Sequence, residues 1–426
     1  MSRKSDDFST SLALANSIAH ILLQLNPVEI VTPTNLQQEK QTWIAAAQEG
    51  GFFGTPRFTY NYSLLHEVVR FKDPLTNARM YFATHINKLS QDDKIIGAIL
   101  LNRIDDAIRT IKMAQAIIDG NDKATACLSL QKYGRPDEYV LRSAQIAAKS
   151  REHLFGESPS RFTEAEMATL KAMSFNAEQI KYWFKRAIDL YGIRNWTIVI
   201  SDEVSAIDVR DKTASGNPTV YIPTNRRVDG LKLLELIGHE INCHLRDSVN
   251  TNALLRGLVK NNPCLLPLVP AMAKSDDEFL YEAHAKLSDV SVNGTSAIPK
   301  PYYIVAQELA RQGKSFSEVA YIIFELQEST TNKSTEALVT SAWTTAYRVF
   351  RGCTNLQNPN GYVFWKDHAY LSGYLAARKN PDSALLDYAT LSNDELKMLE
   401  QAGIDLMHPA YSHQDIVGII KAELLA

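Results

Sequence analysis

The chain has no cysteine framework. Its four cysteines, Cys127, Cys243, Cys264 and Cys353, are widely spaced and form no CxxC pair. That excludes a disulfide-stapled scaffold and points to a reducing compartment, the cytoplasm. Long apolar runs are missing too. The most apolar region, Leu254 to Ala273, is broken by Arg256, Lys260 and three prolines, so it does not read as a membrane span. Neither sign of charge dominates: 45 basic against 48 acidic residues leave a net charge of −3, which gives no electrostatic footprint for nucleic acid or an anionic membrane. The histidines form no tract, and no repeat or low-complexity linker is present. The N-terminal stretch opens with Asp6 and Asp7, and Asn16, Ser17 and His20 interrupt its apolar residues. It predicts an amphipathic helix rather than a signal peptide.

What is present is the material of a globular enzyme: 426 residues, 45% hydrophobic and 22% charged, enough for two or three cores. The pattern is helical up to about residue 160. Ile95, Ile96, Ile99, Leu100, Ile104, Ile108 and Ile111 recur at helical spacing. Turn residues cluster at Phe155-Gly-Glu-Ser-Pro159, and the boundary between an N-terminal helical region, 1–160, and a second domain, 161–426, is placed there. The second domain opens with a helix capped by Asn176 and Gln179 and closed by Gly192. Trp196–Ile200, Val204–Arg210 and Thr219–Ile222 read as strands, the last two joined by a turn at 215–218. Thr219–Ile222 is expected at a sheet edge, where an extended peptide can pair with it. After Gly230 the pattern returns to helix, with starts signalled by Ser275/Glu278 and Ser392/Glu395. The predicted class is α+β, predominantly helical.

A helix over 231–250 carries His239-Glu240-Ile241-Asn242-Cys243-His244. Two imidazoles and a glutamate within one turn are what a hydrolytic zinc site needs: nitrogen donors for the ion, and a carboxylate, Glu240, to take a proton from the attacking water. The zincin helix usually spaces its histidines four apart, as HExxH. Here the interval is five, a rotation of about 500° that leaves the two side chains about 140° apart on an ideal helix. A π-type widening supplies the missing arc, so the motif predicts a distorted helix as well as a metal. A third ligand is expected from helix 276–290, where Glu282 completes a His/His/Glu site and leaves one position for water. His284, about 200° away on the same helix, is the rival and reads better as an outer histidine. Cys243 also competes, but choosing it leaves His244 without a role.

These residues fall within a series of blocks that resembles the microtubule-associated tyrosine carboxypeptidase family. Pro56-Arg-Phe-Thr-Tyr60 comes first, then Leu130-Gln-Lys-Tyr-Gly-Arg-Pro-Asp137, Tyr191-Gly192 with Trp196, and Ser205-Ala206. His239–His244 looks like the family's HEIGTH, and Tyr281-Glu282-Ala283-His284-Ala285 falls where EEGLA is expected. Arg348-Val-Phe-Arg351-Gly352 and Lys366-Asp367-His-Ala-Tyr370-Leu-Ser-Gly373 look like its RxxRG and KDxxYLxG blocks. The resemblance implies a zincin-like catalytic domain with a small mixed sheet and an active-site helix. It also implies a zinc peptidase with His239, His244 and Glu282 as ligands and Glu240 as catalyst. Its substrate is expected to be a protein or peptide C-terminus, such as the tyrosine-ended tail of tubulin. From the two late blocks, Arg348, Arg351 and Lys366 become candidates for binding a terminal carboxylate, and Tyr370 a donor to the oxyanion. Asn242-Cys243 and Ala283-His284 depart from the family pattern beside the metal and bear on substrate choice. The competing functions are an endopeptidase or aminopeptidase on the same scaffold, and an inactive protein-interaction module.

Overall fold

The computed structural model describes residues 2–426 apart from 50–53, 86–90, 151–159, 205, 211–216, 275–277, 295–297, 300, 358 and 381–383. The expected turn at 155–159, Ser205, Ser275 and the first half of the turn at 215–218 lie outside the described residues. The rest is a mainly helical α+β fold with sheets of two and three strands. No helix among the described residues is long and apolar enough to cross a membrane.

The isoleucine pattern forms one long helix, α1 (Gln91–Ile118). Ile96, Ile99, Leu100, Ile104 and Ile111 are fully buried on it, each worth roughly 1.5–3 kcal/mol relative to exposure. They belong to a core that draws on residues 15–148 and again on 255–406. A buried ion pair ties the two stretches: Arg103 Nη2 lies 2.9 Å from Glu395 Oε2, and Arg103 also donates to the carbonyls of Met272 and Thr390. A second core gathers residues 162–249 with Val292, Ile416, Val417 and Ile420.

The second core is built around helix α2 (Ala177–Tyr191), which begins in the expected capping box of Asn176 and Gln179 and ends on left-handed Gly192. Strands β1 (Phe175–Asn176) and β5 (Arg227–Val228) pair antiparallel. Between them in the chain, β2 (Thr197–Ser201), β3 (Asp208–Arg210) and β4 (Thr219–Pro223) form a mixed sheet in the order β2-β4-β3. Two expectations change here. The second strand is confined to residues 208–210, and β4 is the central strand, not an edge. Its backbone pairs on both sides, because Val220 and Ile222 are fully buried and need cover from both neighbours. The edge that borders the functional helix is β3.

After Asp229, whose carboxylate caps the first turn, α3 (Gly230–Leu236) runs into a π-helical segment, Ile237–Leu245, and then α4 (Arg246–Leu258). Ile237, Ile241 and Leu245 pack into the second core, whereas Leu255 packs into the first. The continuous rod thus joins the two cores. Against it lies α5 (Glu278–Asn293), followed by α6 (Tyr302–Arg311), α7 (Thr335–Val349) and α8 (Ala369–Ala377).

Candidate active site

The five-residue interval between the histidines is resolved as the spacing requires. A π turn is closed by i→i+5 hydrogen bonds and sets residues five apart on one face. The rings of His239 and His244 meet edge to face with centroids 4.7 Å apart. Donor atoms of His239, Glu240 and His244 all lie within 4.8 Å of one another. Glu282 approaches from α5, its Oε2 4.0 Å from His239 Nε2.

Close contact between α5 and its neighbours fixes this arrangement. A Cβ on Gly238 would lie 2.3 Å from Ser288 Oγ. On the other side, a Cβ on Gly373 of α8 would lie 2.4 Å from the Phe279 carbonyl and 3.0 Å from Ala283 Cβ. The glycine of the KDxxYLxG block is therefore where α8 touches the α5 backbone. A backbone oxygen cannot swing aside. Gly373→Ala is expected to destabilise the fold by about 1–3 kcal/mol through overpacking and, by shifting Glu282, to weaken metal binding. Denaturant unfolding and metal titration of the variant check both.

Around the histidines the polar contacts are directional. His239 Nδ1 lies 3.1 and 3.2 Å from the two carboxylate oxygens of Asp289, to which Lys286 Nζ also donates at 2.6 Å. Burial works against the Asp289 charge, but His239 and Lys286 hold its carboxyl below the usual range. Such a carboxylate fixes the imidazole tautomer and leaves Nε2 for a cation. His244 stacks on Tyr281, centroids 3.8 Å apart. Burial, with the charges of His239 and His284, pushes its pKa well below normal, so the ring is neutral. Its Nδ1 is buried with no hydrogen-bond partner among the described residues. A neutral imidazole, an orphaned ring nitrogen and converging carboxylates form a donor set that suits a divalent ion of the zinc type. Glu240 is raised to about 7, first by burial and then by the charges of Glu282 and Asp289, with His239 opposing.

His284 and Cys243 form a separate cluster. His284 Nδ1 lies 2.8 Å from Asp247 Oδ2, and the ring also bonds Cys243. Asp247 and Asp387 flank the buried Arg246, at 3.6 and 2.6 Å. Asn242, where the family has glycine, accepts from the Tyr191 hydroxyl and ties the π segment to α2.

A cavity of about 440 Å³ opens beside His239 and Glu282, and Lys286, Tyr303, Lys333, Arg348 and Tyr370 are among its walls. Arg348 and Tyr370 therefore stand next to the histidine cluster. Arg351 and Lys366 do not line this cavity. Arg351 is buried against the Tyr347 ring at 5.1 Å and reaches Asp367 at 3.9 Å, while Lys366 is buried in a short turn. Asp289, Lys286, Tyr281 and Tyr303 were not among the residues expected from the sequence. The first two carry a signal: Glu282, Lys286 and Asp289 follow at i, i+4 and i+7, one stripe of α5.

The family model described as microtubule-associated tyrosine carboxypeptidase matches residues 48–258. No curated protein and no solved structure matches the chain. The matched segment holds His239, Glu240 and His244 and ends before Glu282 and the cavity residues of α7 and α8. Over residues 48–258, just under half of its length, the chain is thus similar to the microtubule-associated tyrosine carboxypeptidase family.

Proposed function

We propose that the chain is a zinc carboxypeptidase that removes a C-terminal residue from a protein or peptide. The observation that carries this reading is the π segment that brings His239 and His244 together beside a cavity walled by Arg348. His239, His244 and Glu282 would hold the ion, which when bound supplies Lewis acidity to a carbonyl and acidifies water. Glu282 is preferred to Glu240 as third ligand because it reaches His239 from a different helix. Glu240, with its raised pKa, is then left as the base.

The chain's own residues divide the work as follows. Glu240 takes a proton from the attacking water as its oxygen bonds to the scissile carbon. It then delivers that proton to the departing amine nitrogen as the C–N bond breaks. Tyr370 donates to the oxygen on which negative charge develops. Arg348 pairs with the terminal carboxylate. Tyr302, Tyr303 and Tyr370 give the cavity aromatic faces, which suit a tyrosine side chain, and a tubulin-like tail is the first substrate to try. The cysteines are free, in keeping with a cytoplasmic enzyme.

The test is cleavage of paired peptides ending in tyrosine, one a free acid and one amidated, followed by mass spectrometry. Amidation is expected to lower kcat/KM by about 10²-fold, since it removes the charged partner of Arg348. A second reading, endopeptidase action, is favoured by one feature. An open groove along the start of α7 shares Tyr303 and Ser341 with the cavity, so chain beyond the scissile bond has room. Equal cleavage of acid and amide, or cuts at internal bonds, would establish that reading. Absence of cleavage of any peptide by the metal-loaded chain would favour the interaction module.

A further inference from the structure

Arg348 sits in the last turn of α7, where an arginine is ordinarily solvated or bonded to helix carbonyls. Here its guanidinium is held on three sides. Nη1 donates to Asp367 Oδ1 at 2.9 Å. The Tyr303 ring lies 5.1 Å and the Tyr370 ring 5.7 Å from its central carbon. Asp367 is only 2% exposed and does not line the cavity. Its other oxygen, Oδ2, lies 3.9 Å from Arg351, and Oδ2 has no hydrogen-bond partner among the described residues. One carboxylate thus serves two guanidinium groups, and the trio carries one uncompensated positive charge. Of the three, only Arg348 reaches the cavity.

We propose that Asp367 is the positioning residue of a carboxylate-binding site. By fixing the fork of Arg348, with Arg351 as its second anchor, it sets that cation to receive the substrate's terminal carboxylate; this rests on the carboxypeptidase reading. The excess positive charge of the trio is what the incoming carboxylate neutralises. An arginine already locked by a buried acid and two rings loses little freedom when it binds, which is how preorganisation raises affinity. Under this assignment the two sequence blocks form one device. Arg348 contacts the ligand, Asp367 aims Arg348, and Arg351 holds Asp367 without touching substrate.

The experiment measures binding without turnover, using zinc-loaded Glu240→Gln protein and a fluorescent hexapeptide ending in tyrosine, as free acid and as amide. The parent is expected to prefer the acid by about 10- to 100-fold. Asp367→Asn should reduce that preference to below about threefold while leaving affinity for the amide unchanged. Asp367→Glu keeps the charge balance, and so guards against loss of folding, but displaces the carboxylate by a methylene and should reduce the preference likewise. Arg348→Met should abolish it, and adding Asp367→Asn to Arg348→Met should change nothing further. Both Asp367 variants keeping the parent's preference, or weakening acid and amide alike, would overturn the positioning role alone, provided Arg348→Met still abolishes the preference. A zinc-loaded parent that binds acid and amide equally would remove the carboxypeptidase reading itself.

Discussion

Glu240→Gln is expected to lower turnover by about 10²–10⁴-fold while leaving the metal and the fold in place. The substitution is nearly isosteric, and Glu240 lies within the π segment without serving as an outer support of either histidine. Its amide cannot accept a proton from water, so the loss should appear in kcat with little change in KM. The environment of Glu240 makes the expectation specific. Burial raises its pKa to about 7, the range in which a base both holds its charge and transfers a proton near neutral pH. Cleavage by Glu240→Gln within threefold of the parent would exclude this residue as the base.

The second large effect is on the metal. His244→Ala removes one of two imidazoles and should lower zinc affinity by more than the 10- to 100-fold typical of losing an outer partner. Asp289→Asn, which only weakens the orientation of His239, should stay within that smaller range. The order follows from the contacts: His244 offers a ring nitrogen, whereas Asp289 supports His239 from its Nδ1 side at 3.1 Å. Competition against a zinc indicator measures both. An Asp289→Asn defect as large as that of His244→Ala would mean that Asp289 itself holds the ion.

Much of this site is legible in the sequence because helix geometry is local. Two histidines five positions apart cannot share an ion on an α-helix, and the backbone widens to a π segment where that spacing demands it. The Asn176/Gln179 box and Gly192 were readable for the same reason, as each acts within one turn. What escaped depends on long-range packing. The central position of β4 follows from pairing with strands on both sides of it, which alternation along one strand does not report. Arg348 and Arg351 are three residues apart and look equivalent in the RxxRG block. The helix ends at Val349, and Gly352 turns the chain with φ +76°, so helical spacing does not say which arginine faces the cavity. Asp289 shares a helical stripe with Glu282, but its role arises only where α5 packs against the π segment and brings it to His239, which the stripe alone does not report.

The central claim is that an HExxxH interval forms one zinc site from two imidazoles and Glu282, with no sulfur. Zinc-edge X-ray absorption of the purified, zinc-loaded chain tests it most directly, because Cys243 sits between the histidines and sulfur and nitrogen scatter at different distances. The account predicts one zinc per chain with only nitrogen and oxygen neighbours at about 2.0–2.2 Å and the outer-shell signature of two imidazoles. A sulfur neighbour at about 2.3 Å, or a chain that takes up no zinc, would contradict it.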